Sequence, residues 1–296
     1  MLLETDVTVD VDAMRAPAEG QRPMTTLTQA VATGELGRPR GQLPMWLLGL
    51  IGVVAFLLLW QFLPLTGLVS RNYLPPFSEV VVTLGGMLGQ PAFWLAFGQT
   101  LQGWALGLAI SFVIGTVLGI VIGSVPYLQE ITNSTIEFLR PIPSVAIIPL
   151  CVLILGTSPQ STLVLVVWAG VWPILVQLLY GIRDVDPVAR ETSRSYRFRT
   201  MTMVRTVTWP TALPYLMTGI RLAAAITLVL ETTGELIIGS PGLGNMLDKA
   251  RSGGNVPQAF ALVLVIGLVA VAVNLLARAA ERRLLRWHPS IRTEAA

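Results

Sequence analysis

Two long stretches of this chain, Val80 to Gln129 and Pro141 to Ile182, contain no Asp, Glu, Lys, Arg or His. Such runs cannot form a water-facing surface. They are long enough to cross a bilayer core, which takes about 20 apolar residues of helix. Charged residues are 12 % of the 296, half of the roughly 25 % usual in soluble domains. That share is too small to cover a soluble globule, and the 53 % hydrophobic content equally excludes a disordered chain. The expectation is an all-α integral membrane protein.

Met45 to Leu63 is a charge-free apolar run behind a polar segment, and it is longer than a signal-peptide core. It reads as a retained span. Six spans are predicted, at about 45–63, 99–125, 131–156, 161–180, 213–238 and 258–280. They form one transmembrane domain, 44–296, after a disordered tail, 1–43. Pro75 to Phe97 carries Pro75, Pro76 and Pro91 and reads as a loop plus an interfacial amphipathic helix. The third span contains Pro141, Pro143 and Pro149. Neighbouring helices must satisfy the carbonyls that proline frees, so a kinked helix facing protein is expected there. The turn residues Gly156-Thr157-Ser158-Pro159-Gln160 separate it from the fourth span. In the second span Gly103, Gly107, Gly115, Gly119 and Gly123 fall at multiples of four, the small-residue spacing of close helix contacts.

With the N-terminus inside, seventeen of the twenty basic residues fall on the inner side. Only Arg71, Lys249 and Arg251 fall outside. This asymmetry predicts cytoplasmic termini and explains the net charge of +3 without nucleic acid.

Several chemistries are excluded. The single Lys, Lys249, is followed by Ala250, so no P-loop can be built. The single His, His288, lies beyond the last span, and Cys151 is the one cysteine. No intramembrane Ser-His-Asp triad, HExxH site or cysteine-rich metal site follows. The chain is expected to be no enzyme, to bind no cofactor or metal, and to act in transport.

The densest basic segment is the loop 181–212, GIRDVDPVARETSRSYRFRTMTMVRTVTWPTA. Asp186-Pro187 is a helix start, an N-cap acid followed by proline at the first helical position. From charge alone the loop is an anchor for anionic lipid headgroups. It also resembles the EAA loop of bacterial ABC importer permeases. Glu191-Thr192-Ser193 stands for Glu-Ala-Ala, and Val207-Thr208-Trp209-Pro210 stands for Ile-x-Leu-Pro at the same spacing. Arg197 occupies the family's Gly position, and Trp209 a common Leu position. The segments 140–150, 186–196, 213–223, 241–244 and 281–290 are similar, in order, to the sulfonate/nitrate/taurine branch of these permeases.

The resemblance implies the type I permease fold in a bacterial cytoplasmic membrane. It also implies partners: two ATP-binding subunits docked at the loop, a second permease copy and an external solute-binding protein, in a lipid setting. Asp186, Pro187, Arg190, Glu191, Arg194, Tyr196 and Arg197 then become ATPase-coupling residues. The implied solute is a small anion of the aliphatic sulfonate, taurine or nitrate type. The alternative is a stand-alone secondary carrier driven by an ion gradient, although nothing in the sequence resembles inverted repeats.

Glu231 and Glu235 lie one turn apart near the outer end of span five. Acids in a span are costly and face protein or water. They are either a pathway-lining pair or a hydrated pair at the interface. Two acids would repel an anionic solute, so the pair points away from the path, or sits in a network with Arg221, or the solute is not a simple anion. Trp168 and Trp172 share one face of span four, as pathway residues or as packing and interfacial anchors. Gly242 and Gly244 belong to a re-entrant piece at the pore mouth or to a plain turn.

Overall fold

The computed structural model describes residues 44–286. The expected tail 1–43, His288 and the end of the block 281–290 lie outside the described residues. The chain divides into two compact units, 1–56 and 57–296. Of the first, residues 44–56 are described; they form most of the apolar helix α1, Met45–Phe62.

The second unit begins with the last turn of α1. It continues through α2 (Phe77–Leu88), α3 (Pro91–Ser124), α4 (Pro126–Leu139), α5 (Ile148–Leu155) and α6 (Pro159–Arg183). Then come α7 (Pro187–Ser195), α8 (Thr200–Ile238), α9 (Leu243–Ser252) and α10 (Val256–Leu284). Every regular element among the described residues is helical. Among the described residues five helices are long and apolar enough to cross a membrane, and a bent pair, α4 with Ser144–Leu155, makes six if counted as one span.

Proline marks three departures from the predicted boundaries. Span two begins at Pro91 and not at 99. Pro91 occupies the first turn, where a missing N–H costs nothing, and the added turns bury Phe93 and Ala96. The third span is no single kinked helix. The chain bends by 83° between Leu139 and Ser144, where Pro141 and Pro143 remove the N–H donors that a continuing helix needs. Only one face of α5 meets protein: Ile148 and Cys151 are buried, whereas Leu150, Leu153 and Ile154 are exposed. The fifth span starts at Thr200 and not at 213, with Pro214 inside the helix. A π-helical turn, Val204–Thr208, lies just before Pro210, and Trp209 N–H donates to the Val204 carbonyl across it.

Helix α6 packs between α3 and α8. The spaced glycines of α3 make this closeness possible. A methyl group at Gly107 would overlap Val166, one at Gly119 would meet Leu178 at 2.7 Å, and one at Gly123 would meet Ile182 at 2.5 Å. A second core joins α2, the start of α3, α9 and α10 around Val80, Phe93, Leu243 and Leu262. Trp60 seals its edge, with ring centroids 5.4 Å from Phe77 and 5.9 Å from Phe260.

Candidate functional site: a capped loop helix and a buried carboxylate clamp

Two regions collect the residues singled out above, at opposite ends of α8. At the first, α7 forms as its sequence dictates. Asp186 caps it, its carboxylate accepting from Val188 N–H at 2.8 Å, and Pro187 occupies the first turn. Ser193 is buried, while Val188, Glu191, Thr192 and Tyr196 are exposed, Tyr196 by 74 %.

The helix ends in a Schellman motif. Phe198 N–H donates to Ser193 O at 3.0 Å, and Arg197 N–H donates to Arg194 O at 2.9 Å. The motif needs a left-handed residue, and Arg197 supplies it with φ 51°, the one non-glycine residue of positive φ among those described. Arg197 thus takes the left-handed turn that a glycine adopts most readily. Beyond it, Tyr215 O–H donates to the Asp184 carboxylate at 2.7 Å and ties the end of α6 to the lower part of α8. Arg190 and Arg194, one turn apart, line a cleft against the ends of α3, α4 and α6. Arg190 is half-buried there, whereas Arg194, like Glu191 and Tyr196, is exposed.

At the other end, Glu231 and Glu235 are buried, 5 % and 0 % exposed. The hydrated interfacial pair is thereby excluded. Glu235 accepts from Thr100 Oγ1 at 2.7 Å and from Gly244 N–H at 2.8 Å. Leu243 N–H in turn donates to Thr100 Oγ1 at 2.8 Å. The carboxylate therefore satisfies the first amides of α9, directly and through one hydroxyl, at the end of the helix where negative charge is favoured.

Gly242 and Gly244 are pressed onto it. A methyl group at Gly242 would overlap the Glu235 carboxylate, and one at Gly244 would strike the Thr232 carbonyl. The PGLG segment is therefore more than a plain turn. It seats α9 against α8, α3 and α10. Thr162 Oγ1 and Ser240 Oγ, 2.7 Å apart, close the same corner.

Glu231 contacts Gly103 of α3, where a methyl group would overlap its carboxylate, and its Oε2 has no partner among the described residues. Of the alternatives for the pair, the network with Arg221 does not form among the described residues. Arg221 instead pairs with Glu281 of α10 at 3.0 Å.

Trp168 and Trp172 meet edge to face, centroids 5.3 Å apart. They border an apolar groove of about 520 Å³ with Ile110, Ile114 and Leu118 of α3. Trp172 also lines a separate pocket of about 250 Å³ with Arg140, Ser144, Gln177 and Leu222. Sequence reasoning missed that pocket and missed Thr100. The uncharged run around Thr100 gives no sign that its hydroxyl reaches a residue 135 positions away. Arg140 did carry a signal, as the last charge before the uncharged run that opens with Pro141 and Pro143.

Residues 111–287 match the family described as "Binding-protein-dependent transport system inner membrane component". A Bacillus subtilis strain 168 permease protein ascribed to aliphatic sulfonates transport, SsuC, is 28 % identical over 94 % of this chain and 99 % of its own. The taurine transport system permease protein TauC of Escherichia coli K12 is 29 % identical, covering 81 % of this chain and 90 % of its own. Among solved structures, a bacterial ABC transporter involved in the import of the acidic polysaccharide alginate superposes with a TM-score of 0.58. The two are 17 % identical over 80 % of this chain and 96 % of the other.

Proposed function

This chain belongs to the binding-protein-dependent transport system inner membrane component family, and from that premise we propose how it couples an energy source to the passage of a small anion. It is the membrane subunit of an ABC importer and a multi-pass protein of the bacterial inner membrane. In our reading two copies enclose the pathway, with both termini in the cytoplasm. An external binding protein delivers the solute and two separate ATPase chains drive the cycle. The sequence contains no P-loop lysine of its own, which agrees with an engine on another chain.

The observation that carries the reading is α7. It is a helix capped at both ends, joined through one tight turn to the span-forming α8, and it presents Val188, Glu191 and Tyr196 outward. Such an element suits a groove on a partner, because its shape is set before docking. Asp186, Pro187 and Arg197 hold that shape, Glu191 and Tyr196 make the contact, and Arg190 and Arg194 hold α7 against the spans. In reconstituted complexes, Glu191→Ala and Tyr196→Ala should leave assembly of the chain intact and lower solute-stimulated ATP hydrolysis about tenfold or more, the loss that follows removal of a central contact. Wild-type stimulation in both would remove α7 from the coupling. Uptake that survives ATP depletion but stops when the ion gradient collapses would favour a secondary carrier instead.

For the solute, the relatives point to a sulfonate-like anion, and the pocket holding Arg140, Ser144 and Gln177 supports that class. A guanidinium beside a hydroxyl and an amide suits a sulfonate or similar oxyanion. Arg140→Gln should lower uptake of a sulfonate while leaving assembly with the ATPase unchanged. Glu231 and Glu235 then stabilise the wall of the pathway and need not contact the solute, which removes the conflict between two acids and an anionic cargo.

A further inference from the structure

We propose that the cleft behind α7 binds an anionic phospholipid, its phosphate held by Arg190 and Arg194 and its acyl chain lying on the apolar wall. The cleft has a volume of about 560 Å³ and lies between α7 and the ends of α3, α4, α6 and α8. Arg183, Arg190 and Arg194 all line it. Among the described residues none of the three forms an ion pair with a carboxylate. Arg183 reaches only Asn133 Oδ1, at 3.4 Å. The acids on the framing elements, Glu130, Glu137, Asp184 and Glu191, therefore leave the guanidiniums unneutralised.

Two buried donors make the stronger case. Arg190 Nε and Gln129 Nε2 are shielded from solvent and find no acceptor among the described residues, and both residues line the cleft. A buried donor without an acceptor is costly, and a phosphate offers several acceptor oxygens to a guanidinium fork at once. Ile120, Leu178, Ile182 and Trp209 line the same cleft and provide its apolar surface. Arginines and apolar side chains lining one cleft at the end of membrane-crossing helices fit a lipid of the adjoining leaflet better than a free ion. The same lipid would hold α7 in place against the spans, so that the loop helix is positioned partly by the bilayer.

The test uses the purified full-length chain. Native mass spectrometry should show one retained phosphatidylglycerol, held about tenfold more tightly than phosphatidylcholine. The double variant Arg190→Gln/Arg194→Gln should lose that preference, whereas Arg282→Gln, exposed on α10, should keep it. Equal retention of the two lipids by the wild type, or an undiminished preference in the double variant, would overturn the proposal. So would thermal stabilisation by inorganic phosphate with no lipid preference, which would mark a site for a free anion.

A second measurement needs no variant. Hydrogen exchange over 187–195 in nanodiscs should be slower with phosphatidylglycerol than with phosphatidylcholine. Exchange that ignores the lipid and slows only when the ATPase chain is added would assign these arginines to the protein partner.

Discussion

Arg197 holds φ at 51°, a conformation that costs a side-chain-bearing residue about 1 kcal/mol or more relative to glycine. Arg197→Gly should therefore raise the thermal stability of the solubilised chain by about 1 kcal/mol. Arg197→Val, β-branched in the same turn, should lower it. Differential scanning fluorimetry on both variants checks the sign. Glu235 makes the opposite prediction. Its carboxylate is the acceptor for Thr100 and for the Gly244 amide, and Glu235→Ala leaves buried donors unmet at a cost of about 1–3 kcal/mol each. Thr100→Val should be non-additive with Glu235→Ala in a double-mutant cycle, because both remove the same network.

Helix against helix, the glycines of α3 decide how near the neighbours come. Gly103 leaves room for the Glu231 carboxylate, so Gly103→Ala alone should destabilise by about 1–3 kcal/mol, the usual range for overpacking. Glu231→Ala should restore most of that loss, measured as the yield of monodisperse protein on size exclusion.

This packing was partly legible in advance. The four-residue glycine steps announced close contacts, and the apolar runs announced the spans. The Asp186-Pro187 pair announced the start of α7, because a cap and its helix are neighbours in sequence. The proline-rich boundaries were less legible. Pro91 and Pro214 look like breaks locally, yet one sits in a first turn and the other inside a helix that continues through it. The clamp at Glu235 was hidden for a different reason. Thr100 comes from α3, 135 positions away, and although Gly244 is only nine residues on, its glycine marks a turn and does not show that its amide points back to Glu235. A pair of acids in a span suggested a hydrated or pathway position, whereas the amides of α9 supply the compensation from within the protein.

Across the whole second unit, α8 connects the two regions. Midway along it Arg221 is bonded to Glu281 of α10 at 3.0 Å, linking the helix that follows the loop to the last span. Both side chains are partly exposed, 37 % and 20 %, so the pair is worth about 1 kcal/mol or less once solvent screening is allowed for. Glu281→Gln should therefore change stability little but loosen the register of α10 against α8. The charge-reversed double variant Arg221→Glu/Glu281→Arg should recover the wild-type distance between spin labels on the two helices.

From Thr200 to Ile238, α8 is a single rod of 39 residues, about 58 Å long at 1.5 Å per residue. One end begins just past the turn that closes α7, and the other reaches the Glu235 clamp. In the coupling proposed above, a displacement at the loop is carried along this rod to the clamp as tilt or rotation, because a helix barely compresses along its axis. Its two irregular points, the π turn at Val204–Thr208 and Pro214 inside the helix, are where that motion is taken up as bending instead, so they set how much of a pull on the loop becomes leverage at the far end.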